Sequence, residues 1–133
     1  MKITKDYLRQ VIRESLQEVK YDYAGLSAAE AAFIGRLART AYKLKTSGGD
    51  EVKEKELFKI ILFARAKIGP DLINKFLYSR TSPEANNTQQ DKDMYNALKA
   101  ATSEALSIKD RSPKFFTGED YTSLHDKYSK YLQ

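Results

Sequence analysis

The chain is predicted to fold as a single all-α domain, a compact bundle of about six helices with one helix buried at its centre. Three observations carry this. Apolar residues recur at three- and four-residue intervals through most of the chain. The intervals begin at residues suited to helix N-caps, and they end at Gly, Pro or polar clusters. One stretch, Leu57 to Ile68 with sequence LFKIILFARAKI, is apolar well beyond a single face. Leu57, Ile61, Ala64 and Ile68 form its stripe, while Phe58, Ile60, Leu62 and Phe63 spread apolar surface around it, so other helices must wrap it. Lys59 and Lys67, on either side of Phe63, mark its route to water.

Composition bounds the rest. With 133 residues, 41% apolar and 31% charged, the chain can bury a core without covalent staples. Cys is absent, which removes disulfides, thiolate nucleophiles and cysteine-type zinc sites. The longest apolar run, Ile60 to Phe63, falls far short of the roughly 20 residues that span a bilayer, so no membrane association is expected. The net charge of +5 is concentrated at the front: residues 1 to 80 hold sixteen basic and ten acidic side chains, and residues 81 to 133 hold seven and eight.

Residues 1 to 19, MKITKDYLRQVIRESLQEV, read as an amphipathic helix. Thr4 is its cap, Ile3 and Leu8 are placed for a hydrophobic staple, and Leu8, Ile12, Leu16 and Val19 form the stripe. Arg9, Gln10, Arg13 and Glu14 interrupt the apolar run that a secretory signal needs, and Asp6, Glu14 and Glu18 do not suit an acid-poor transit peptide. KYDYAG then reads as a linker, dividing a leader or first helix, 1 to 19, from a helical domain, 20 to 133.

In the second helix Ser27 and Glu30 stand at the spacing of a capping box, and Phe33, Leu37, Ala41 and Leu44 face inward. Its Ala residues and Gly35 would let a neighbouring helix approach closely. Gly48 and Gly49 end it. Arg36, Arg39 and Lys43 line its outer side, with no acid between Ala31 and Gly49, and make the best basic contact patch in the chain. Asp50 caps the buried helix, and Gly69 and Pro70 separate it from a fourth helix built on Leu72, Ile73, Phe76 and Leu77. So tight a turn invites comparison with helix-turn-helix DNA readers, but Arg65 stands where such motifs usually place a small residue.

Thr81 to Gln90 reads as an exposed loop. Thr88 and Asp91 can cap a fifth helix, whose inward residues are Met94, Tyr95, Leu98, Ala101, Ala105 and Leu106. Lys109 to Thr117 reads as a second loop, anchored by Phe115 and Phe116. Thr117 and Asp120 start the last helix, in which Tyr121, Leu124, Tyr128 and Tyr131 alternate by three and four. Hydroxyl-tipped rings suit the margin of a core or a wet interface, so Phe115, Phe116, Tyr121, Tyr128 and Tyr131 form a candidate partner surface.

No catalytic constellation emerges. His125 is the only histidine and lacks metal-ligand spacing to any carboxylate, Glu119 and Asp120 diverge on a helix, and no glycine-rich phosphate loop is present. The residues therefore point to a protein that works without an active site, metal or cofactor.

The first nineteen residues add one indication of setting. The Met-Lys-Ile-Thr-Lys opening followed by an amphipathic helix resembles the short N-terminal leaders on small proteins of large tailed phages, especially marine myoviruses. That resemblance implies direction into the assembling head, where the prohead protease cuts after Leu or Ile, any residue, then Glu. Ile12-Arg13-Glu14 and Leu16-Gln17-Glu18 fit, making Glu14 and Glu18 candidate cleavage positions, and none of the other seven Glu fits. A non-enzymatic virion or packaged internal protein, acting by helix-mediated contact with phage or host proteins in the particle or the infected-cell cytoplasm, is the reading this implies. The alternative is a small basic module for nucleic acid or a host factor, using Arg36, Arg39 and Lys43. The sequence leaves the oligomeric state open.

Overall fold

Four of the five described α-helices start where a side chain satisfies an orphan amide. The computed structural model describes residues 23–132, and within them five α-helices follow in order: α1 (Ala28–Thr46), α2 (Glu51–Ile68), α3 (Pro70–Thr81), α4 (Gln89–Arg111) and α5 (Gly118–Tyr128). Short 3-10 turns cover Pro113–Phe115 and Ser129–Tyr131. No strand occurs among the described residues. The candidate positions Glu14 and Glu18, and the whole of the first predicted helix, lie outside them.

Ser27 and Glu30 close the expected capping box on α1, with the Glu30 amide donating to Ser27 Oγ at 3.1 Å and the Ser27 amide donating to Glu30 Oε1 at 2.9 Å. Asp50 accepts from the Val52 amide at 2.9 Å to begin α2, and Thr88 accepts from the Asp91 amide at 3.1 Å to begin α4. Between α2 and α3 the chain turns on one residue. Gly69, at φ 108°, lies where a side chain would strain the backbone, and Pro70 occupies the first turn of α3, where its missing amide costs nothing.

The inner half of α2 is buried as expected: Leu57, Phe58, Ile61, Leu62, Phe63 and Ala64 lose nearly all exposure, and Phe63 loses all of it. The helix packs against α1, α3, α4 and α5. The broadest seam is elsewhere, between α1 and the long α4. There small residues set the spacing, with Ala31, Gly35, Ala38 and Ala41 buried on α1 and Ala97 and Ala105 buried on α4. A methyl group on Gly35 would rest at 3.5 Å from the Tyr95 hydroxyl, an ordinary contact.

Four details differ from the sequence reading. Thr81 is helical, its hydroxyl donating to the Leu77 carbonyl at 2.8 Å, and Gln89 and Gln90 already belong to α4. The second loop is shorter than Lys109 to Thr117. Packing of Leu106 and Ile108 on the core carries α4 on to Arg111, and Pro113 then forbids continuation. Tyr131 lies beyond α5, in the closing 3-10 turn.

Lys59 is the fourth. Instead of serving only as a path to water, it donates to Asp120 Oδ1 at 3.3 Å, and its ammonium stands 5.8 Å from the centre of the Phe115 ring. Asp120 also belongs to the capping box of α5, accepting from the Thr117 amide at 2.9 Å. The Thr117 amide holds the Asp120 carboxyl below its ordinary pKa; partial burial opposes this less strongly, and Lys59 adds to the lowering. A depressed carboxyl stabilises the fold above its unfolded pKa of about 4, and that contribution fades as the pH falls through the lower folded value. Asp120→Asn should therefore be less stable than the parent near neutrality, by about 1 kcal/mol for the weakened cap. The gap should narrow under acid, which urea titrations followed by circular dichroism at two pH values would show.

Candidate functional site

Arg39 on α1 and Arg80 at the end of α3 converge on one cleft of about 430 Å³. Asn87 from the α3–α4 loop, Gln90 and Asp91 from the first turn of α4, and Met94, Tyr95 and Gly35 complete its wall. Local chemistry explains why these groups meet. Thr88 caps α4 and so fixes Gln90 and Asp91 at the positive end of that helix. Asn87 Nδ2 donates to the Arg80 carbonyl at 3.2 Å, binding the loop back to the end of α3.

The guanidinium of Arg80 lies over the Phe76 ring, 5.1 Å from its centroid, and Phe76 in turn meets Tyr95 edge-on at 5.7 Å. Stacking of this kind fixes the plane of the guanidinium. Tyr95 is half-buried, and that burial pushes its hydroxyl above the ordinary tyrosine pKa. Arg80 and Arg39 pull it down and Asp91 pushes it up. The hydroxyl thus stays protonated through the neutral range, available as a donor.

The cleft holds two guanidiniums, one carboxylate, two side-chain amides and a phenol. It has the donors to orient a carboxylate or a phosphate, but no nucleophile paired with a base. Among the described residues, no group of three or more His, Asp or Glu side chains could hold a metal ion, and no helix is long and apolar enough to cross a membrane.

The structure divides the basic patch of α1. Arg39 enters the cleft. Arg36 instead lies over the ring of Tyr131, 5.5 Å from its centroid, where Lys130 approaches the same ring at 5.1 Å. Lys43 is exposed and lines neither place. One helix side was read correctly as basic, but different elements stand against it at different heights.

The aromatic set is divided as well. Tyr121 lies 5.3 Å from Phe63, and Tyr128 lies 5.4 Å from Phe33, edge-on, and 6.4 Å from Phe63. Phe115 and Phe116 are half-buried and pack on the core. Tyr131 alone in the set is exposed, at 41%. Four of the five rings thus lend most of their surface to the monomer's own packing. The cleft residues Arg80, Asn87, Gln90, Asp91 and Tyr95 were not singled out as a site from sequence. The caps and the polar loop placed them near helix ends, but no pattern ties Arg80 to Arg39.

Comparison with known proteins finds no matching family model, no matching curated protein and no matching solved structure.

Proposed function

We propose that this is a non-catalytic binding protein that holds an acidic side chain of a protein partner in the Arg39–Arg80 cleft, presented by the surrounding helices. The observation that supports the reading is the convergence of two guanidiniums from separate helices, one of them oriented by Phe76, in a concave and mixed-polarity site. Asp91 and the two amides suit a peptide, which brings both donors and acceptors. The resemblance of residues 1 to 19 to tailed-phage leaders supports a phage or host protein as the partner.

The alternative, nucleic acid lying along Arg36, Arg39 and Lys43, has less support. The stacking of Arg36 on Tyr131 and the entry of Arg39 into the cleft break up the continuous basic face that it needs.

A fluorescein-labelled, glutamate-rich peptide titrated against the full chain tests the proposal by anisotropy. Arg39→Gln and Arg80→Gln are each expected to weaken binding about tenfold, the loss of one charge-assisted hydrogen bond. Lys43→Gln should leave it unchanged. Equal weakening by all three, or no binding by the parent chain, would refute the assignment.

A further inference from the structure

A second cleft, of about 390 Å³, lies where α2, α3 and α4 meet, and its chemistry differs from that of the first. Arg65 from α2 and Lys99 from α4 supply two cations, Asn74 and Ser103 supply polar tips, and Leu77 and Leu106 supply apolar wall. No carboxylate lines it. Neither cation forms an ion pair among the described residues. The Thr102 hydroxyl is already engaged, donating to the Leu98 carbonyl at 2.8 Å, so it adds no free donor.

The remaining lining group is Tyr78, which is 66% exposed although α3 carries it beside a buried neighbour, Leu77. An exposed aromatic ring lining the same cleft as two cations offers a stacking face beside positive charge. A lone cation pair would suit any anion, and a lone ring any apolar group. Their combination in one cleft with no acid suits a ligand that is anionic at one end and planar at the other.

We infer that the Arg65–Lys99–Tyr78 cleft binds a nucleotide unit, with the phosphate between Arg65 and Lys99 and the base stacked on Tyr78. Stacking on an exposed ring tolerates any base, so the site would select nucleotide over other anions without reading sequence. Asn74 and Ser103 are placed to contact sugar or phosphate oxygens. This inference is independent of the acidic-partner cleft, with which it shares no residue.

The test is anisotropy of a fluorescein-labelled oligothymidylate of about ten nucleotides on the full chain, at low and at physiological salt, alongside a calorimetric titration with uridine monophosphate. Binding of the oligonucleotide is expected to weaken as salt rises. Arg65→Gln and Lys99→Gln should each lower the salt slope by about one. Tyr78→Ala should weaken binding about tenfold while Tyr78→Phe retains it, a split that charge alone would not produce. All three positions are exposed or half-exposed, and circular dichroism would verify that each variant is folded.

Uridine monophosphate bound as well as the oligonucleotide, with the same dependence on Tyr78, identifies a free nucleotide as the ligand. Markedly tighter oligonucleotide binding identifies a single strand. The inference is overturned if neither binds the parent chain, if Tyr78→Ala has no effect, or if Arg39→Gln abolishes binding instead. It is also overturned if the glutamate-rich peptide binds through Arg65 and Lys99, which would make this a second acidic-peptide site.

Discussion

Replacing Phe63 by Ala is expected to lower the unfolding free energy by about 3–5 kcal/mol, the range for removing a large aromatic side chain from a core. Phe63 has no exposure, sits midway along the buried half of α2, and meets Tyr121 and Tyr128 from the C-terminal side. Truncation leaves both tyrosines facing a void. Tyr128 cannot move to close it without leaving Phe33, which it meets edge-on. Against a total stability of about 5–15 kcal/mol for an ordinary domain, the loss is large. Urea denaturation measures it, with Val52→Ala as the control. Val52 is 74% exposed and should change stability by less than about 0.5 kcal/mol. A comparably small change at Phe63 would mean that α2 is not the buried helix.

The second large effect concerns the α1–α4 seam. Ala38→Leu is expected to destabilise by about 3 kcal/mol, the upper part of the range for overpacking, because Ala38 has no exposure and the larger side chain adds three further carbons. Gly35→Ala should act in the opposite direction. The added methyl group would rest at ordinary contact distance from the Tyr95 hydroxyl, and a helix-interior glycine gives up about 0.5–1 kcal/mol relative to alanine. Thermal melts of the two variants, one lowered and one raised, would establish how tightly this seam is packed. If Ala38→Leu melts with the parent, the helices are farther apart than described.

Where the sequence could be read, the information was local. Ser27 with Glu30, Asp50, Thr88 and Thr117 each bond to an amide within three residues, so spacing alone located every described helix start that has a side-chain cap. The apolar density of Leu57 to Phe63 likewise reported its own burial. Long-range pairings were a different matter. Lys59 and Asp120 are far apart in sequence, and neither residue's surroundings indicate the other. Tyrosines at helical spacing fit a core margin and an interface equally well, until Phe63 and Phe33 are seen to occupy their faces. The candidate site was illegible for the same reason. Arg39 was noticed for its charge, whereas Arg80 and Tyr95 acquire their significance only from the way α3 and the start of α4 meet α1.

The helix that covers the most deeply buried ring has no fully buried residue of its own. α5 is held at its start by Lys59 and along its length by half-buried rings, so it has fewer apolar anchors than any other described helix. Opening should therefore begin there, below the free energy of global unfolding, with its amides exchanging before those of α2. Such a partly undocked state presents Phe63 and Phe33 to solvent. At high concentration these rings would be open to the α5 of another molecule, so destabilising α5 is expected to favour exchange of that helix between chains.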